Sequence, residues 1–213
     1  MIRILCKGEY LQKMSNHHPH YLSKLITMLR KLPGIGFKGA ERVAFHVIGW
    51  PKDKQIELSR MLENITDHLF SCNTCGCLIE SNACKFCDPI SRTQKVLCVL
   101  VEQKDVFSIE ETGFFKGYYH VLNASLSPIR QKTIEDSIIK KLKNRAINLQ
   151  IEEIVLALDS TLEGDATALY LKKHIESLGI PISRLASGLP MGIFLDYVDE
   201  GTLTRAFMGR SSY

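Results

Sequence analysis

The sequence predicts a multidomain α+β chain: two helices joined by a glycine turn, a four-cysteine segment, an α/β domain with a mostly parallel sheet, and a short tail. Three observations carry that prediction. Apolar residues recur at helical spacing near the start, as Leu22, Leu25, Ile26 and Leu29 and then Ala40, Val43, Ala44 and Val47. Four of the seven cysteines fall in two tight pairs, Cys72-Asn73-Thr74-Cys75 and Cys84-Lys85-Phe86-Cys87. Beyond them, Val96–Val101 and Ile154–Leu158 are near-continuous apolar runs, the pattern of strands buried on both faces.

Residues 1–20 read as a flexible extension ending in Asn16-His17-His18-Pro19-His20. Metal could bind those histidines adventitiously, but a frayed terminus explains them more simply. Met14 is an alternative translation start, which would make residues 1–13 an extension without function. The first twenty residues hold no apolar stretch of signal-peptide length, and no run of about eighteen apolar residues occurs. A reducing cytoplasm, with no membrane partner, is the expected setting, and thiols there stay available for metal.

Residues 21–70 form the next unit. Between the first two helical patterns lies Leu32-Pro33-Gly34-Ile35-Gly36. Proline ends one helix, and Gly34 and Gly36 allow a tight turn that brings backbone close to a ligand. Amides after Gly36 then open the second helix at its positive end, where a phosphate binds well. Lys38 and Arg42 lie four apart and share a face beside that end. This is the helix-hairpin-helix device, which reads nucleic-acid backbone and not bases. From Tyr21 to Trp50, five basic residues (Lys24, Arg30, Lys31, Lys38, Arg42) face one acid, Glu41, although the whole chain carries only +4. The bland reading is a helical hairpin with solvated charges. The string Gly34-Ile35-Gly36-Phe37-Lys38-Gly39 also matches a dinucleotide fingerprint, but a helix precedes it where that fingerprint needs a strand. A third helix is expected over Lys54 to Phe70, carrying Ile56, Leu58, Met61, Leu62, Ile65 and Leu69.

Residues 71–92 are read as a four-cysteine zinc segment. Two residues between cysteines let both thiolates enter one turn, and two such turns complete a tetrahedron around Zn²⁺. A closed site of Cys72, Cys75, Cys84 and Cys87 has no open position for substrate, so the metal is structural, one per chain. A pair of disulfides or a duplicated redox motif is the alternative. The loop from Gly76 to Ala83 is expected to form a short hairpin. Cys98 reads as a small buried residue, and Cys77 as a competing ligand that would break the symmetry of the pairs.

In the α/β domain, residues 95–190, one apolar run ends in Glu102 and the other in Asp159, followed by Glu163-Gly164-Asp165. A helix from about Asp165 to Leu178 turns Ala168, Leu171, Ile175 and Leu178 inward. Ligands of open parallel sheets bind beyond the carboxyl ends of the strands. Glu102, Asp159, Glu163 and Asp165 would therefore gather at one edge and could hold Mg²⁺, unless they are merely solvated. Lys140, Lys141, Lys143 and Arg145 read as a solvated basic helix end.

Taken in order, these segments resemble the bacterial RecR recombination-repair family from about Tyr21 to Arg210. The motifs behind that resemblance are Leu32-Pro33-Gly34-Ile35-Gly36, Ala44-Phe45-His46, the two cysteine pairs, Glu111-Thr112-Gly113, Tyr119-His120-Val121-Leu122, Leu126-Ser127-Pro128, Glu163-Gly164-Asp165-Ala166-Thr167-Ala168, Gly188-Leu189-Pro190 and Asp199-Glu200-Gly201-Thr202-Leu203. The resemblance implies a Toprim-like α/β domain and a Walker-B-like tail over residues 191–213, around Leu195–Asp199. It implies a non-enzymatic protein that assembles into a homo-oligomeric ring, clamps DNA, and works with RecO and RecF to help RecA replace single-strand-binding protein at gaps. Lys38 and Arg42 would contact DNA, and Glu102, Glu163 and Asp165 would form the Toprim acidic set, used for partner contact.

The chain departs from that pattern in places. Phe37 stands where the family usually has proline, and Asn123-Ala124-Ser125 and Arg130-Gln131-Lys132-Thr133 lack expected glycines. Asp159 stands where asparagine is common, which adds a carboxylate to the acidic edge. Two other classes stay open: a Mg²⁺-dependent Toprim nuclease, and a zinc-ribbon adaptor that binds only protein. No G-x-x-x-x-G-K-[ST] occurs, so a P-loop ATPase is not supported.

Overall fold

A computed structural model describes residues 18–126, 133–186 and 188–210. The chain divides between Thr66 and Asp67 into two units. The Met14 start and the Arg130-Gln131-Lys132 stretch lie outside the described residues.

The first unit contains helices α1 (His20–Leu29), α2 (Phe37–Ile48) and α3 (Lys52–Glu63). Helix α1 starts at His20, inside the stretch expected to be extension, because Pro19 provides a helix-compatible entry. The small core is Leu22 and Ile26 against Ala40 and Ala44, with Leu25, Leu29, Ile35 and Phe37 packed around it. The two alanines let the helices approach closely. Val43, expected to face inward, is exposed, since Ala40 and Ala44 already fill that face. Gln55 donates to the carbonyls of Val47 at 2.9 Å and Trp50 at 3.2 Å, adding a second bond to Val47, which also accepts the Trp50 amide at 3.1 Å, where α2 ends. The expected helix to Phe70 stops at Glu63, where Asn64 leaves helical geometry, and a single turn follows at Ile65–His68. None of the residues of α3 is buried.

The second unit opens with β1 (Phe70–Ser71) paired antiparallel to β2 (Leu78–Ile79). The pairing thus spans the first cysteine turn, whereas a hairpin inside the Gly76–Ala83 loop was expected. Next come β3 (Val96–Leu100), α4 (Gln103–Glu111), β4 (Tyr118–Val121), α5 (Asp136–Asn148), β5 (Glu153–Leu156), α6 (Leu162–Ile175), β6 (Ile182–Arg184) and α7 (Glu200–Met208). The sheet has the order β4-β3-β5-β6 and every pairing in it is parallel.

Period-two alternation sorts the strands between two cores. Leu97, Val99, Tyr118, Ile154 and Leu156 join Leu142, Ala146, Leu171 and Ile175 of α5 and α6. Cys98, Leu100, Tyr119, Val121 and Ala157 face the other way and meet Cys75, Cys77 and Phe86, with Val106 from α4. The cysteine segment therefore covers a sheet face that would otherwise need a helix. Cys98 is buried in this second core.

An ion pair ties the end of that segment to α4. Arg92, buried, donates to Glu110 through Nη1 at 2.7 Å and Nη2 at 2.9 Å, while the Tyr119 hydroxyl also donates to Glu110 at 2.7 Å. The guanidinium stacks over the Phe86 and Tyr119 rings. Arg92 holds the Glu110 carboxyl below its ordinary range. The linked stability is present above the unfolded value near pH ~4.3 and is lost as pH falls through the lower folded value. Removing one member of a buried pair strands the other, so Arg92→Met should cost the second unit about 3 kcal/mol. Adding Glu110→Gln should recover part of that loss; equal melting of Arg92→Met and wild type would show that the pair does not hold the segment down.

Candidate nucleic-acid interface, metal centre and acidic edge

The Leu32–Gly36 turn has the form of a type II turn. Pro33 sits at its second position, Gly34 at its third with φ +77°, and the Ile35 amide donates to the Leu32 carbonyl at 3.2 Å. A side chain on Gly34 would meet no atom within 4 Å, so its glycine is required by conformation and not by crowding. Gly36 is the N-cap of α2, extended and with no side-chain cap on the amides that follow. Gly34, Gly36, Lys38 and Arg42 are all exposed, so this positive helix end is open. Lys38 donates to Glu41 at 3.0 Å, and Glu41 also meets His18 at 2.8 Å. Phe37, at the position where proline was expected, packs inward while Arg30 and Lys38 lie 5.8 and 5.7 Å from its ring centre. The turn thus places bare amides beside cations, an arrangement suited to phosphate.

Cys72, Cys75, Cys84 and Cys87 come together with all four Sγ atoms within 4.8 Å of one another. The Cys72–Cys87 and Cys75–Cys84 sulfur pairs are 4.0 and 3.6 Å apart. Ligands at about 2.3 Å from a tetrahedral centre stand about 3.8 Å apart, so these spacings suit a four-thiolate metal site. Each turn is locally closed: Gly76 donates to the Cys72 carbonyl at 2.8 Å and Cys87 to the Cys84 carbonyl at 2.9 Å. Burial pushes the Cys84 thiol up to about 11, and the neighbouring Cys75 thiol and burial also raise Cys87. Crowded thiols resist ionising together, and a central cation reverses that balance. Cys77 lies against Cys75 but is not one of the four.

The acidic edge sits where the chain order switches. β3 connects to β4 on one side while β5 flanks it on the other, so Glu102 and Asp159 follow adjacent strands at the fork. Glu102 pairs with Lys104 at 2.6 Å. Asp105, which the sequence did not single out, has its carboxyl raised by burial and by the charge of Asp159. Glu163 and Asp165 lie in the first turn of α6, whose cap Thr161 accepts from the Gly164 amide at 3.0 Å. Asp165 does not join an acidic cluster: Arg184 reaches it at 2.6 Å and Arg205 at 3.3 Å. Among the described residues, no set of three carboxylates converges as the cysteines do.

Comparison with known proteins covers the helical unit, the α/β domain and the tail. Residues 22–66 match the helix-hairpin-helix of RecR, 95–186 a Toprim domain, and 188–211 the C-terminal region of RecR. A Recombination protein RecR from Protochlamydia amoebophila is 53% identical over 196 residues, covering 92% of this chain and 99% of the relative. Those from Chlamydia caviae and Chlamydia trachomatis serovar D are 48% and 43% identical over 198 residues, covering 92% of this chain and 98% of each relative. The chain belongs to the RecR family.

In this RecR chain, four features escaped the sequence pattern. Arg145, read as part of a solvated basic end, is buried and donates from Nη2 to Cys87 Sγ at 3.3 Å. It differs from Lys140 and Lys141, both exposed, only by its place on the inner face of α5 beside Leu142 and Ala146. The arginines that occupy Asp165 come from β6 and the tail, too distant in sequence to be paired by inspection. Asp199, in the C-terminal region, is the N-cap of α7 and accepts from the Thr202 amide at 3.0 Å. Gly164 is the fourth. A Cβ there would stand 2.0 Å from the Asp159 carbonyl oxygen. Gly164→Ala should therefore push α6 off β5 and lower stability by about 3 kcal/mol, roughly 10 °C in melting temperature. An unchanged melt would show that α6 can shift without cost.

Proposed function

We propose that this RecR-family chain is a non-enzymatic, DNA-binding mediator of recombinational repair that acts with RecF and RecO to help load RecA at single-stranded gaps. The supporting observation is the exposed, uncapped start of α2 behind the Gly34 turn, flanked by Lys38 and Arg42. It suits phosphate contact without base reading, as a sequence-independent clamp requires. The metal fits Zn²⁺, which suits four thiolates with no open position and would act by folding the segment onto the sheet. Self-assembly into a ring is supported by α3, which leaves Ile56, Met61 and Leu62 exposed on a helix with no buried residue. Among the described residues no helix is long and apolar enough to cross a membrane.

The test measures RecA loading on gapped DNA coated with single-strand-binding protein, in the presence of RecO and RecF, with zinc per chain and mass in solution recorded alongside. Wild type should accelerate loading, and a Lys38→Glu/Arg42→Glu variant should not. Equal loading with and without the protein would overturn the reading. A Mg²⁺-dependent nuclease is the second reading, favoured by the mutual repulsion of Asp105 and Asp159 near Glu102. Cleavage of gapped DNA with Mg²⁺, abolished by Glu102→Gln, would establish it instead.

A further inference from the structure

Four thiolates around one divalent cation leave a net double negative charge, here set against a buried sheet face. Such a charge needs compensation. Among the described residues of this unit two arginines are buried, Arg92 and Arg145. Arg92 is consumed by its two-point pair with Glu110. Arg145 makes no ion pair with a carboxylate among the described residues, and its Nε has no hydrogen-bond partner there. A guanidinium at 7% exposure without an anion is a costly arrangement, and its hydrogen bond goes to Cys87 Sγ at 3.3 Å. His120, also buried, cannot supply the missing charge, because burial and then the charges of Arg145 and Lys141 lower its pKa to about 4.

We infer that Arg145 is a positioning residue of the metal centre: its guanidinium donates to the Cys87 thiolate, offsets the charge of the tetrathiolate, and couples metal occupancy to the packing of α5. The inference rests on reading the four cysteines as a metal site. It accounts for why a charged side chain is retained on the inner face of α5, where Leu142 and Ala146 are fully buried. Groups that hydrogen-bond to a metal ligand commonly change metal affinity 10- to 100-fold when removed (about that range). With the metal in place Arg145 is paired; without it, the same residue is a buried cation lacking an anion.

The experiment loads the full chain with Co²⁺ and with Zn²⁺, as wild type, Arg145→Met, Arg145→Lys, and the exposed neighbour Lys141→Met as control. Arg145→Met should release Zn²⁺ to a chelator about tenfold faster or more. Its Co²⁺–thiolate charge-transfer band should move to lower energy, because one hydrogen bond to sulfur is gone. Arg145→Lys should fall between, and Lys141→Met should match wild type. Stability should also invert: Arg145→Met should melt below wild type when loaded, but not below it when metal-free. A merely packing role predicts the same loss in both states. Should Arg145→Met fail to fold, the band of Arg145→Lys decides the question. An unchanged band and release rate in the folded variants would overturn the inference. A wild-type chain that takes up no cobalt would instead remove the metal reading itself.

Discussion

Gly76→Ala should destabilise the second unit by about 4 kcal/mol, combining left-handed backbone strain with overpacking, and should speed metal release. Gly76 has φ +78°, a region that costs a residue with a Cβ about 1–2 kcal/mol. Space is also closed: an added Cβ would lie 2.6 Å from the Val121 carbonyl oxygen and 3.1 Å from its Cβ. Neither side can yield cheaply. Val121 donates its amide to the Cys75 carbonyl at 2.7 Å, and Gln103 donates to the Gly76 carbonyl at 2.9 Å. These bonds dock the first cysteine turn on the end strand β4 and on the start of α4, so displacing Gly76 moves Cys75 as well. Thermal melting with and without chelator checks this. A variant that melts with wild type and holds its metal as long would mean that the turn is not braced by the sheet.

Reversing both cations, Lys38→Glu with Arg42→Glu, should weaken binding to random-sequence DNA about 100-fold near physiological salt. The fold should be untouched, because both side chains are exposed and the hydrophobic contacts of α2 come from Phe37, Ala40 and Ala44. The Lys38–Glu41 pair does not compete strongly with phosphate, since an exposed ion pair contributes about 0–1 kcal/mol. Fluorescence anisotropy with duplex and gapped DNA measures the loss. Unchanged affinity in a folded double variant would place the DNA contacts elsewhere.

Local patterns were legible in the sequence where one short segment carries the whole constraint. Cysteine spacing alone points to a four-sulfur site, and the Pro33-Gly34 order alone points to the turn observed. Continuous apolar runs identify β3, which is buried on both faces, and β5, which is buried on one face and half-buried on the other. What stayed hidden depends on contacts between distant segments. The tail places Arg205 on Asp165, 40 residues away in sequence, and Arg145 meets Cys87 across 58 residues. Periodicity also misplaced Val43, since a helical stripe of about 100° does not specify which edge residue stays wet. Helix α3 was overextended because Leu69 continues its spacing, whereas the break at Asn64 leaves only a weak signal.

Amides and two cations at the start of α2 are proposed to hold DNA by its phosphates. The direct measurement is the slope of log affinity against log salt concentration for random-sequence DNA, wild type against the Lys38→Glu/Arg42→Glu variant. Loss of two phosphate contacts should flatten the slope by about 1.8, with no dependence on DNA sequence in either protein. Equal slopes, or wild-type binding that salt does not weaken, would contradict it.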